Sequence, residues 1–162
     1  MANEALAAYL NDHLAGSVAA LELLGSLEGE REGTADAAVL ARLRADIEED
    51  REVLGPLMER LGIAASKPRQ ATAWVAEKLV DLKLRLDDPG HGALRRLEAL
   101  ETVSLGIEGK RLLTLALSAA AAMAPELSGS EAALAWLGRR AEEQRAMVET
   151  LRIEAAREAF GG

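Results

Sequence analysis

The chain has 162 residues, among them 33 alanines and 28 leucines, but only 16 valine, isoleucine and threonine residues and four aromatic residues. So few β-branched and aromatic side chains exclude an all-β fold and favour an all-helical one. The formal net charge of -8 opposes binding to a phosphate backbone, so we expect no nucleic-acid partner.

The start of the chain and its lack of cysteine bear on its location. The first residues have neither the basic region nor the apolar region of a secretory signal peptide. The absence of cysteine is compatible with a reducing compartment. The longest uncharged run, residues 112–125, is too short to span a bilayer. We therefore expect a cytoplasmic protein with no membrane partner.

Clusters of glycine, proline and cap-forming residues divide the chain into five predicted helices. The helices span roughly residues 4–27, 35–61, 69–86, 93–123 and 129–159. The fifth begins with Ser128 and Glu131, which have the spacing of a capping box. The third is much shorter than the other four, so four long helices are expected to build the core.

The lengths of the connections predict how the helices are arranged. Short loops join the long helices into two antiparallel hairpins, residues 4–61 and 93–159, because a short loop makes neighbouring helices antiparallel. Residues 62–92 join the hairpins through a long crossover that contains the short third helix. A cytokine-like bundle would need two such crossovers and a simple up-and-down bundle none. We therefore predict one all-α domain over residues 1–162.

Polar residues interrupt the apolar stripes that the long helices are expected to present to the core. On the fourth predicted helix the inward line is Leu94, Leu97, Glu101, Ser104, Glu108, Leu112, Leu115 and Ala119. Over the whole chain, the predicted buried polar network consists of His13, Ser17, Asp50, Glu101, Ser104, Glu108, Gln144, Arg145 and Arg152.

In an antiparallel helical hairpin, two residues at the same height along the bundle axis, one on each helix, have numbers that add up to a nearly constant sum. This rule predicts which polar residues meet. The predicted pairs are His13 with Asp50, Glu108 with Arg145, and Glu101 with Arg152. An unpaired buried charge would cost several kcal/mol, so the matching of acidic residues with partners supports the assumed register.

The two hairpins, their long crossover and a short repeat between residues 47–51 and 141–145 resemble the ferritin-like superfamily, in particular its uncharacterised bacterial members. The resemblance covers the four long helices. In metal-active members, one Glu on each of two helices and a Glu-x-x-His motif on each of the other two hold a pair of metals. The resemblance places these six ligand positions at Ser17, Glu108, Ile47, Asp50, Ala141 and Gln144. Because only Asp50 and Glu108 are good ligands, it implies a degenerate metal site.

The sequence therefore favours a non-catalytic structural or interaction module with an ion-paired polar core and no cofactor. An alternative is a ferritin-like oxidase or other metal-binding protein that uses His13, Asp50 and Glu108, because an imidazole with two carboxylates is a common transition-metal ligand set. A third hypothesis is a carrier of a small apolar ligand bound between the hairpins.

A homodimer is also predicted, because the fourth predicted helix is apolar nearly all round and such a helix needs cover on more than one side. The residues assigned to its outer, dimer-forming face are Leu100, Val103, Ile107, Leu113 and Leu117.

Overall fold

A computed structural model describes residues 4–65, 92–121 and 123–161, and these form four long helices. The helices are α1 (Glu4–Glu30), α2 (Ala35–Arg60), α3 (Ala93–Ala121) and α4 (Glu131–Phe160), with a 3₁₀ turn at Pro125–Leu127. No strand occurs within the described ranges. The prediction of an all-α fold is thereby confirmed for these residues, whereas the short predicted helix at residues 69–86 lies outside the described residues.

The observed helix ends lie within a few residues of the predicted ones, but the capping box before α4 does not form. α4 begins at Glu131, with Ser130 rather than Ser128 at the N-cap position and without a side-chain capping bond. The 3₁₀ turn and Gly129, whose φ is +80°, occupy the residues where the helix was expected to begin. Gly can adopt this left-handed conformation because it has no Cβ.

Contacts between helix ends establish the direction of each helix. The Arg95 guanidinium at the start of α3 pairs with Glu30 at the end of α1. Arg60 at the end of α2 donates a hydrogen bond to Ser130 just before α4. α1 is therefore antiparallel to α3, and α2 is antiparallel to α4. Since the hairpins are antiparallel, α2 and α3 run in the same direction, and residues 65 and 92 lie at opposite ends of the bundle.

The packing is closest within the α1/α2 and α3/α4 hairpins, and the hairpins join mainly where α1 meets α3. The apolar core forms two clusters. The cluster at the end of the bundle where α1 ends comprises Ala19, Leu23, Leu24, Leu27, Leu40, Leu43, Ile47, Leu97, Ala99, Leu100, Val103, Ile107, Ala141, Val148, Leu151 and Ala155. The cluster at the opposite end comprises Leu10, Leu54, Leu57, Met58, Leu61, Ile63, Leu113, Leu117, Leu127 and Leu134.

The inward face of α3 differs from the predicted one. All five residues assigned to the outer face, Leu100, Val103, Ile107, Leu113 and Leu117, are buried in the core. Leu112 and Leu115, which were assigned to the core, are 50% and 54% exposed. The prediction was wrong because α3 is apolar nearly all round, so its hydrophobic pattern does not determine which side faces the neighbouring helices.

Within the described part of the chain, no helix combines the length and the apolar character needed to cross a membrane.

Candidate functional site

The centre of the bundle contains a buried carboxylate that accepts hydrogen bonds from two cations and an amide. Asp50 of α2 is only 4% exposed. Its Oδ2 accepts hydrogen bonds from the Lys110 ammonium of α3 and from Gln144 Nε2 of α4, the latter at 2.8 Å. Its Oδ1 accepts a hydrogen bond from Arg140 Nε at 2.7 Å. Charge-assisted hydrogen bonds of this kind are about twice as strong as neutral ones, so the network ties three helices together.

Lys110 is the cation that α3 contributes to this network. Its ammonium donates to Gln144 Oε1 as well as to Asp50, so the lysine, the carboxylate and the amide contact one another. Burial lowers the pKa of Lys110, and the adjacent Asp50 carboxylate opposes that shift by stabilising the charged form. The lysine therefore depends on Asp50 for its charge compensation.

Arg140 connects the network to the outer surface of α2. Its guanidinium contacts the carboxylates of Asp46 and Glu49 at 3.3 and 3.0 Å as well as that of Asp50. The same guanidinium lies 4.5 Å from the centre of the Trp136 ring, which is the geometry of a cation–π contact. Arg140 consequently retains counter-ions even without Asp50.

A cavity of about 170 Å³ lies beside this network, between α1, α2 and α3. It is lined by Asp12, His13, Gly16, Ser17 and Ala20 of α1, by Ile47, Asp50, Arg51 and Leu54 of α2, by Gly106, Ile107, Gly109, Lys110 and Leu113 of α3, and by Leu137 of α4. The wall residues include members of both apolar clusters, so the cavity lies where the two clusters adjoin.

His13 lines the cavity without a hydrogen-bonded side-chain partner in the described part of the chain. The ring packs edge-on against Tyr9, with the ring centroids 4.7 Å apart. Burial lowers the pKa of the His13 imidazole, and the opposing effect of Asp12 is smaller. The neutral imidazole is therefore favoured, and one ring nitrogen is a donor and the other an acceptor.

The predicted pairing of His13 with Asp50 is wrong. Both residues line the cavity, as expected for two residues at the same height, but the hydrogen bonds of Asp50 go to the opposite hairpin. Similarity in height along the bundle does not determine which way a side chain faces. Ser17 also lines the cavity, and its hydroxyl donates to the Leu14 carbonyl at 2.6 Å.

The other two predicted pairs form, but not in the core. Arg145 contacts Glu108 at 2.9 Å, and Arg152 contacts Glu101 at 3.4 Å. Arg145 and Glu101 are exposed, while Glu108 and Arg152 are half-buried. The register of the second hairpin is thus confirmed, whereas the expectation that these four residues are buried is wrong.

Glu108 is held outside the central network by two arginines. It accepts hydrogen bonds from Arg111 at 2.8 to 3.2 Å and contacts Arg145. The hydrogen bond from Arg111 is the main cause of a lowered pKa at Glu108. Ser104, also assigned to the buried network, is half-buried. Of the nine residues in the predicted network, only Asp50 and Gln144 are fully buried and bonded to each other.

The structure does not gather the three candidate metal ligands, because Glu108 does not line the cavity that His13 and Asp50 share. Over residues 4–65, 92–121 and 123–161, no three histidine, cysteine or acidic side chains are grouped so as to hold a metal ion. Asp50 offers no free charge to a metal, because Lys110 and Arg140 already compensate it.

Sequence reasoning missed Lys110 and Arg140. Lys110 lies seven residues after Val103 and seven before Leu117, both of which are buried, so it belongs to the same stripe of α3. The mistaken inward face of α3 concealed this position. Arg140 precedes Gln144 by one helical turn, and this spacing could have indicated that it too reaches Asp50.

No protein-family model, curated protein or solved structure matches this chain.

Proposed function

We propose that this chain is a non-catalytic, ferritin-like bundle that acts as a structural or interaction module. The observation that carries the proposal is the bonding of Asp50, whose two oxygens accept hydrogen bonds from Lys110, Arg140 and Gln144. In a metal-active bundle of this class, such inward carboxylates would coordinate metal ions. Here a lysine and an arginine provide the positive charge.

The directions of the four helices support the ferritin-like part of the proposal. α2 and α3 run in the same direction, so the end of α2 and the start of α3 lie at opposite ends of the bundle. One long crossover between two hairpins is typical of ferritin-like bundles. Asp50 and Gln144 are also two of the positions at which the resemblance places metal ligands, and they bond to each other directly.

Metal binding is the test of this proposal. The protein is purified without chelator, its metal content is measured, and Fe(II), Mn(II) and Zn(II) are titrated into it in a calorimeter. We expect well under one equivalent of metal per chain and no stoichiometric binding. One equivalent of metal that is lost in Asp50→Ala but retained in Glu101→Ala would overturn the proposal and favour the metal-binding alternative. Glu101 is a suitable control because it is an acidic residue remote from Asp50 on the exposed side of α3.

As an interaction module, the chain is proposed to bind a second copy of itself through the exposed side of α3. Leu105, Leu112 and Leu115 are 72%, 50% and 54% exposed. In an antiparallel pair of α3 helices centred near residue 110, Leu105 would face Leu115 of the second copy. Leu112 lies seven residues after Leu105 and three before Leu115, so the three leucines share one side of the helix and form one apolar patch.

Light scattering at micromolar concentration tests the homodimer. The unaltered protein should have twice the mass of one chain, and Leu112→Glu should shift it to one chain mass by placing a charge in the interface. Ile153→Glu, which changes an exposed apolar residue of α4, is the matched control and should leave the dimer intact. A monodisperse monomer for the unaltered protein would contradict the proposed dimer.

A further inference from the structure

The cavity beside Asp50 is not filled by side chains, because glycine residues line two of its walls. Gly16 of α1 and Gly106 of α3 both line it, and a Cβ added to either would meet nothing within 4 Å. A Cβ at Gly109 would approach only the His13 ring, at 3.7 Å. Helix interiors disfavour glycine by about 1 kcal/mol relative to alanine. Three glycines on these walls therefore leave space in the bundle at a cost in helix stability.

The size and walls of the cavity determine what it can hold. An apolar cavity of about 150 Å³ is known to accommodate a benzene molecule, and this one has about 170 Å³. Ile47, Leu54, Ile107, Leu113 and Leu137 contribute large apolar side chains to its wall. A single aromatic ring, or an aliphatic ring of the same size, would fill it and cover these side chains.

The polar groups around the cavity favour a neutral guest over a charged one. Lys110 and Asp50 both line it, but they already bond to each other and to Gln144. A charged guest would lose its hydration and meet a lining that contains two cations, Arg51 and Lys110, and two carboxylates, Asp12 and Asp50, so no net charge is left to compensate it. Two groups keep hydrogen-bonding capacity for a guest. The ring nitrogens of the neutral His13 imidazole make no hydrogen bond within the described residues, and the buried Nε–H of Arg51 likewise has no partner there.

We propose that this cavity is a binding site for one neutral, ring-sized and largely apolar molecule that carries a single hydroxyl or N–H group, as in the phenol and indole class. The ring packs between the walls of α1, α2 and α3, and the polar group hydrogen-bonds to His13. The site is independent of the proposed structural role, because it requires neither a metal nor a second copy of the chain.

Phenol is the probe for the size and position of the site. Binding is measured by titration calorimetry and by the shifts of backbone amide signals in NMR spectra. Gly16→Leu and Gly106→Leu place side chains at opposite walls, and we expect each to weaken phenol binding at least about tenfold, or 1.4 kcal/mol. Gly25→Leu is the matched control. It lies in α1 outside the cavity, a Cβ there also meets nothing within 4 Å, and phenol affinity should be unchanged.

Comparison of ligands tests the chemistry. Phenol should bind more tightly than benzene, and the difference should disappear in His13→Leu. Benzoate and benzylammonium should bind at least about tenfold more weakly than phenol, since burying an uncompensated charge is unfavourable. The proposal would be overturned if phenol did not bind, or if both cavity-filling variants bound phenol as tightly as the unaltered protein does. Charged ligands that bind as tightly as phenol would also overturn it.

Discussion

Replacing Asp50 with alanine is expected to lower the free energy of unfolding by about 4 kcal/mol. The carboxylate is 4% exposed and accepts hydrogen bonds from Lys110, Arg140 and Gln144. Hydrogen bonds to charged groups contribute about 1.5–3 kcal/mol each, and removal of one partner of a buried ion pair typically costs about 3–5 kcal/mol. The loss is limited because Arg140 keeps Asp46 and Glu49 as counter-ions. Lys110 would keep only the weaker electrostatic effect of Asp46.

A double-mutant cycle separates the pair from the rest of the network. Lys110→Met alone should cost about 1.5 kcal/mol, because Asp50 keeps Arg140 and Gln144 as donors. The double variant should lose about 3.5 kcal/mol, less than Asp50→Ala alone, since no buried cation is then left unpaired. These values correspond to a coupling of about 2 kcal/mol, measured by urea unfolding monitored by circular dichroism.

Additive effects in that cycle, with a coupling below about 0.5 kcal/mol, would refute the argument that Lys110 depends on Asp50. The Glu101–Arg152 pair is the internal control, because it is a surface contact at 3.4 Å and Arg152 also contacts Glu149. We expect no resolvable coupling for that pair.

Three further outcomes are expected. Burial lowers the pKa of His13 in the folded chain, so the unfolded chain binds this proton first, and the free energy of unfolding should fall as the pH drops below about 6.5. In urea unfolding series between about pH 7 and pH 5, His13→Gln should remove this part of the dependence of stability on pH. An unchanged dependence would contradict the prediction. Gly129→Ala should cost about 1 kcal/mol because φ is +80°, whereas Gly29→Ala within α1 should not destabilise the protein, and thermal unfolding compares the two. Leu115→Glu should weaken the proposed homodimer as Leu112→Glu does, and sedimentation that shows unchanged assembly in both would exclude this side of α3 as the interface.

The helices could be predicted from the sequence because their ends have strong local signals. Gly33 and Gly62 follow α1 and α2 with positive φ, and Gly92 precedes α3 in the same way. These residues, together with the apolar periodicity, placed the four helices within a few residues of their observed bounds. The heights of residues in the second hairpin were equally predictable, because a short loop leaves little freedom in register.

The side of each helix that packs against the core was less predictable. α3 has apolar residues on nearly every side, so two different stripes were compatible with its sequence. The three- and four-residue spacing predicts an inward stripe that contains Glu101 and Glu108, and the basic residues at the same height agree with that register. Surface pairs satisfy the same criterion equally well. Because of the same error, Lys110 was not considered as a core residue.

The division of the core into two apolar clusters has a consequence for how the bundle opens. Asp50 and Lys110 lie between the clusters, and the adjacent cavity interrupts apolar contact there. The two ends of the bundle are connected by the four helix backbones and a few hydrogen bonds rather than by uninterrupted side-chain packing. We expect amide hydrogen exchange to reveal two cooperative units, one at each end of the bundle. A guest in the cavity would join them by filling the gap between the clusters, and the two exchange rates would then converge.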